Sequence, residues 1–415
     1  MIELGTSKVC ITPKKPLRLS GFGFRSGDYD RVRKDIFVRV MDFYSGEVRV
    51  TVIYGDLLWW NTRFVERMRS CLEEKLGLLR EQVLFVASHN HSGPGTGDTA
   101  IALLETADSE YLSYLEARIL EAAERAGADR EAVRLKRSSG QFAGNVYRRV
   151  RTARGICMMP NYKVAADPLL TVINFRRSDG TLKGRIIHYP CHANLSKDNE
   201  LHPDYPGYLL ELSDRDNPGS TAVFFQGCTA DMRPNCVLGE EFRPGTPEDV
   251  EVFAAAVYDK VKQAEAAGES GLGDEMALSR RQVFLGFERS WGRAELEKWQ
   301  QDEREEVRQW AQKVLEKGIE DGEVLEVSEL SLGGQRCYFF NAEMAMHYAQ
   351  AARELCPGSI CSGYTNGMIG YLCTDEQIQE GGYEPKESAT YFGLAGTYPV
   401  GIQGRIERVM RGEAG

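Results

Sequence analysis

The 415-residue chain has no run approaching the about 18 consecutive apolar residues that a membrane-spanning helix needs. Its first residues, Met1-Ile2-Glu3-Leu4-Gly5-Thr6, carry neither the basic start nor the apolar stretch of a secretory signal. A cytoplasmic protein without a membrane anchor is therefore expected. Positive charge is in deficit: 51 Lys and Arg stand against 61 Asp and Glu, a net charge of −10. That balance lacks the basic face of a nucleic-acid binder and disfavours adsorption to anionic membranes. The ten cysteines include no CxxC pair. Their scatter is too wide for a thiolate zinc site or a disulfide framework, so they read as reduced, mostly buried thiols. Internal repeats, low-complexity tracts and Pro-, Gly- or Ser-rich boundaries are also missing, so one domain is expected over residues 1–415. Histidine is scarce at six residues, which makes each position informative.

What is present is core material. Hydrophobic residues make up 42% of the chain, a globular proportion. Val48–Tyr54 predicts a buried strand, Arg63–Leu78 an amphipathic helix and Val83–Ala87 a second strand. This strand–helix–strand succession implies an α/β core. Further along, Ser109–Ala126 reads as a helix, and Leu170–Phe175 with Arg185–Tyr189 as a hairpin around Ser178-Asp179-Gly180. Tyr205–Leu212 is a short helix, Thr221–Phe225 a strand and Pro247–Ala267 a helix opened by Thr246-Pro247. The charged segment Trp291–Gly318 keeps an apolar stripe and predicts one surface helix. Strands over Val327–Leu332 and Arg336–Phe340, then helices over Glu343–Leu355 and Ile402–Met410, complete the reading.

Five of the six histidines fall in three segments that follow strands or lie in loops, where reactive groups gather. In Ser88-His89-Asn90-His91-Ser92-Gly93-Pro94-Gly95, extended backbone would set both imidazoles on one side as a metal pair. The competing reading is two loop histidines bonded to backbone. In His188-Tyr189-Pro190-Cys191-His192, His192 leaves the strand as a candidate ligand and His188 stays inside as a core histidine. Gln226-Gly227-Cys228-Thr229-Ala230-Asp231-Met232-Arg233-Pro234-Asn235 is a polar loop after an apolar strand. Glu343 lies at a strand-to-helix junction, where a carboxylate either caps a helix or serves a site. Tyr364, Tyr371 and Tyr383 lie among glycines.

Taken in order, SHNHSGPG, CHANLSKDN with HPDYPGY, QGCTADMRPN, NAEMAMHYA and TNGMIGYLCTDEQIQEGGYEP resemble the neutral/alkaline ceramidase family, from about Ser20 to about Tyr383. The resemblance implies the catalytic domain of that family, a mixed twisted β-sheet with helices packed on its faces. It implies zinc held by His89, His192, Glu343 and Tyr371. His91 would act as base or proton shuttle, and Tyr383 would donate a hydrogen bond to the substrate oxygen. Arg148 or Arg149 would match a substrate-binding arginine. Asp56 would orient a ligand histidine from behind.

The implied activity is hydrolysis of a non-peptide C–N bond by metal-activated water. Two departures redirect the substrate. Arg233 stands at the family's serine position, and the chain stops at Gly415, where secreted members continue into a β-sandwich domain. A soluble N-acyl small molecule is therefore expected in place of a bilayer lipid. Arg233 suits an anionic substrate, with pairing to a loop carboxylate as the alternative. Ester or lactone hydrolysis at the same zinc site, or a non-catalytic metal-binding relative, are the competing functions.

Overall fold

The computed structural model describes residues 1–413. Its centre is a long mixed sheet. In spatial order the strands are Thr221–Gln226, Leu182–Tyr189, Leu169–Arg176, Glu131–Gln141, Ile2–Cys10, Phe37–Ser45, Val48–Gly55 and Val83–Ala87. Pairing is antiparallel through the middle and parallel only at the two ends, between Leu182–Tyr189 and Thr221–Gln226 and between Val48–Gly55 and Val83–Ala87. Parallel neighbours need a crossover. The helices Asp204–Asp216 and Thr62–Leu76 supply them.

The sheet curls until its two ends meet. Thr221–Gln226 touches both Val83–Ala87 and Phe37–Ser45, and the Gln226 side-chain amide donates to the Ser88 carbonyl at 3.0 Å. Between the folded halves lies a core that includes Leu4, Met41, Val52 and Val86 from one side and Ile173, Phe175, Ile186 and Val223 from the other. Close approach requires Gly184, where an added Cβ would stand 3.0 Å from Leu4 and 3.2 Å from Met41. The helices Thr62–Leu76 and Ser109–Ala128 bury the outer face of one half through Val65, Met68, Leu72, Leu115 and Ile119. Asp204–Asp216 and Pro247–Ala267 cover the other half. A second sheet orders Met276–Gly286, Gly322–Leu332, Gln335–Phe340 and Ile360–Ser362, and packs with the helices Glu305–Lys317, Met346–Leu355 and Ile402–Met410. The fold class is α/β, as expected.

Two expectations are corrected. Trp291–Gly318 is not one helix but two, Arg293–Trp299 and Glu305–Lys317. Asp302 accepts the Arg304 N–H at 2.9 Å, an Asx turn that breaks the helix. The break lets Trp299 pack against Trp291 and Trp310. Nor does a helix begin at Glu343. Glu343–Met344 is a short strand, and the helix starts at Met346, whose N–H is received by Asp231. Among the described residues all ten cysteines are free, and no helix is long and apolar enough to cross a membrane.

Candidate metal centre and its surroundings

The curled sheet brings His89 and His192 together from opposite ends. His89 and His91 follow the edge strand Val83–Ala87, and His192 follows Leu182–Tyr189. The first loop is fastened on all sides. Ser88 N–H donates to Gly55, Asn90 N–H to Leu57, and His91 N–H to Ala193. The Asn90 amide donates to the carbonyls of Asp56 and His202, and Arg25 donates to the His91 carbonyl. His89 is not extended, as the HxH spacing suggested, but left-handed with φ of 62°. Strain of that kind in a non-glycine residue persists where surrounding bonds enforce it.

The Nε2 atoms of His89 and His192 lie 2.9 Å apart, and His91 Nε2 lies 3.2 Å from each. Each ring's other nitrogen faces a backbone carbonyl: Leu58 at 3.1 Å for His89, Gly21 at 3.0 Å for His91 and Thr229 at 3.4 Å for His192. A carbonyl only accepts, so it fixes the proton on Nδ1 and leaves Nε2 as a bare lone pair. Burial holds all three rings neutral, with His89 pushed down to about 3 and the other two well below the usual histidine value. Three lone pairs therefore converge with no proton between them. A cation among them turns that repulsion into coordination, and the carbonyl behind each imidazole is the usual support of a metal ligand. The residues present fit a divalent metal. Gly21 is required here, since a Cβ would meet His91 Nδ1 at 2.5 Å.

Glu343 closes the cluster, its Oε2 3.5 Å from His89 Nε2. Its position comes from a parallel bridge that sets Glu343 directly beside Tyr371. Burial raises its carboxyl to about 7, opposed by Arg148 and by the hydroxyls of Tyr371 and Tyr364. The Tyr371 oxygen accepts from Arg148 at 3.2 Å. Tyr383 lies outside this pair, its ring 5.8 Å from that of Tyr371. Beside His91 and Tyr371, and reached through Phe22 and Tyr383, lies a cavity of about 530 Å³ lined by Phe22, Phe24, Tyr383, Tyr391, Glu305 and Glu306.

Tyr364 is the residue that sequence reasoning missed. Its ring stacks on His89 at 3.9 Å, and its hydroxyl reaches Glu343 at 3.3 Å and Thr229 at 2.6 Å. Its φ of 55° is shared with neighbouring Asn366 at 61°. The Thr365-Asn366-Gly367 turn that follows it was the available signal.

The two candidate arginines part company. Arg148 reaches Tyr371, whereas Arg149 donates to the carbonyls of Gln377 and Gly381 and to Glu380. Both grip Glu384. Arg233 stands opposite Val146 in the same small sheet, so it shares a face with Arg148. Asp56 does not orient a histidine. Its carboxylate receives Tyr54 O–H and Phe37 N–H, each at 2.8 Å. It anchors the strand from which the histidine loop hangs. His188 is the expected core histidine, bonded to the Cys361 carbonyl at 2.9 Å.

Fold and cluster together define an α/β protein with a candidate metal centre. No family model matches the chain. Among curated proteins, neutral ceramidase of Pseudomonas aeruginosa is 28% identical over 222 residues, which are 50% of this chain and 32% of that protein. The match thus spans about a third of the relative's length. Among solved structures, the crystal structure of neutral ceramidase from Pseudomonas aeruginosa superposes with a TM-score of 0.77 at 18% identity, covering 99% of this chain and 73% of that one. A ceramidase complexed with C2 gives 0.76 at 17% identity, covering 99% and 74%. The chain resembles neutral ceramidase in sequence and shares its fold.

Proposed function

We propose that the protein is a zinc-dependent amidohydrolase that cleaves the C–N bond of a soluble N-acyl substrate. The observation that carries this reading is the convergence of three imidazole lone pairs in a buried cluster. His89, His192, Glu343 and Tyr371 would hold the metal. When bound, zinc would polarise the substrate carbonyl and lower the pKa of water to roughly 7.

The chain's own residues do the rest. His91 Nε2 is unprotonated because Gly21 holds the proton on Nδ1, so it can take a proton from water and return it to the leaving nitrogen. Tyr383 would donate a hydrogen bond to the carbonyl oxygen as charge develops there. Such a donor is typically worth about 10²–10³ in rate. Burial keeps the Tyr383 phenol protonated and able to donate. Arg148 orients the Tyr371 oxygen. Phe22, whose ring lies 4.8 Å from that of His91, and the neighbouring aromatic residues form a cavity sized for a compact acyl group.

A second reading keeps the reaction but makes His91 a third imidazole ligand. Its equal distance from His89 and His192 favours it. The same centre would also serve ester or lactone hydrolysis, which differs only in the leaving atom.

Metal content by mass spectrometry, on untagged wild type and His192→Ala, is the direct test. About one zinc per chain, lost in the variant and accompanied by amine release from a panel of short N-acyl amines and N-acyl amino acids, supports the proposal. A folded, zinc-treated wild type without stoichiometric metal sinks it. Metal with no turnover of amides or esters points to a non-catalytic relative. His91→Ala separates the two roles: retained metal with lost turnover makes His91 the base, and lost metal makes it a ligand.

A further inference from the structure

Two cations beside the histidine cluster have no counter-charge among the described residues. The Arg233 guanidinium contacts the Met158 sulfur at 3.7 Å and the face of the Phe242 ring at 4.8 Å, and its Nε is buried without a partner. Lys197 Nζ stands 5.9 Å over the ring of Phe24, a residue of the cavity wall. The pairing to a loop carboxylate that would make Arg233 structural is not formed. Elsewhere in the site the opposite holds, since Arg148 is answered by Glu384 and by the Tyr371 oxygen.

Arg233 also points to the chemistry. Its register places it on the face of Arg148, and the Tyr371 oxygen lies near enough to act on its charge. Its charge is felt at His91 and His192 and at Lys197. Burial, and then the Arg148 charge, pull the guanidinium down to about 10, so it stays ionised at neutral pH. Lying over Phe242 with Nη1 turned to the Met158 thioether, the guanidinium meets no protein oxygen on its N–H fork, which suits a planar two-oxygen partner. A lysine would give a point charge without that fork.

We propose that Arg233, assisted by Lys197 over the Phe24 ring, is the specificity determinant that receives a carboxylate of the substrate. The substrate class is then an N-acylated amino acid, not a neutral N-acyl amine. This rests on the hydrolase reading above. Hydrolysis breaks the acyl C–N bond. The oxygen of water joins the acyl carbon, one proton goes to the nitrogen and one to solvent, and a carboxylate and a free amino acid leave. The aromatic wall of Phe22, Phe24 and Tyr391 would take the acyl chain, and Glu305 and Glu306, which line the same cavity, disfavour a second anionic group there.

The test uses probes that cannot be hydrolysed. N-hexylsulfonyl-glycine and N-hexylsulfonyl-ethanolamine share a chain and a sulfonamide and differ only in the carboxylate. Titration calorimetry on zinc-loaded wild type is expected to show the glycine compound bound roughly 10- to 150-fold tighter, the range of a hydrogen bond to a charged group. Arg233→Gln should erase most of that ratio and leave the Kd of the neutral compound unchanged. Arg233→Lys should restore part of it, and Lys197→Gln should lower it more modestly. Equal affinity in wild type, or no detectable binding of the glycine compound, overturns the proposal. So does an Arg233→Gln that weakens both compounds alike, which would make the guanidinium a general structural or oxyanion contact. Because binding is read without turnover, failure here is distinct from failure of amine release, which tests the hydrolase reading alone.

Discussion

Arg148 and Arg233 sit on the same small sheet, on the same face and beside the same tyrosine, yet their surroundings are opposite. Arg148 is only 2% exposed and is met by Glu384, which also binds Arg149 from the other side. Arg233 has a thioether and a phenyl ring. A buried charge with hydrogen-bonded partners fixes geometry. One without a partner costs folding free energy and is retained for a ligand or merely tolerated. The first arginine builds the site, and the second is free to recognise what enters it.

The largest effect should come from breaking the paired side. Glu384→Gln leaves two buried guanidiniums facing a neutral amide. Removing one partner of a buried ion pair typically costs about 3–5 kcal/mol. Denaturant unfolding should show a loss in that range, and metal analysis should show weaker metal retention, because Arg148 no longer holds the Tyr371 oxygen. A loss below about 1 kcal/mol would mean that Arg148 is no better partnered than Arg233, and the contrast would fall.

The sequence made the donors legible better than their arrangement. His89, His91 and His192 stood out because each follows an apolar strand and histidine is rare here. Glu343 and Tyr371 could be paired only through the family resemblance, because a two-residue bridge between segments far apart in sequence leaves no periodicity to read. The curl that joins the sheet's ends is likewise a product of long-range packing. Arg148 and Arg149 could not be told apart because the strand carrying them is irregular between Tyr147 and Arg149 where it meets its neighbour. Tyr364 looked like a turn residue because its left-handed backbone belongs to a turn, and its ring reaches His89 only in the folded chain. The helix expected at Glu343 failed for the same long-range reason: bridging to Tyr371 outweighed helix propensity.

Glu323 offers a control, a half-buried carboxylate far from the cluster in sequence and outside the site described above. Burial, with Glu320 beside it and Lys317 opposing, raises it from 4.5 to about 7. The sign follows from proton uptake. Between these values the folded state holds a proton that the unfolded state has released, so stability falls as pH rises from about 4.5 to about 7 and then levels off. Glu323→Gln removes the titration. It should match wild type near pH 4 and exceed it at pH 8 by about 2 kcal/mol, less than the full shift implies because local relaxation and water absorb part of the cost. Thermal unfolding at the two pH values measures this, and a gain independent of pH would assign the effect to packing.

The smallest effect is the one that decides what Arg233 is for. If its charge is unanswered in the free protein, Arg233→Gln should not destabilise the fold. The gain should be between zero and about 1 kcal/mol, since the stacked Phe242 ring already recovers part of the burial cost. A variant that is as stable or more stable, yet has lost its preference for a carboxylate, shows the trade of stability for function expected of a recognition residue. Glu323→Gln should gain stability with no change in binding, which is the signature of a tolerated charge. An Arg233→Gln that unfolds more easily by more than about 1 kcal/mol would place the guanidinium among the scaffolding groups with Arg148, and the distinction between the two arginines would dissolve.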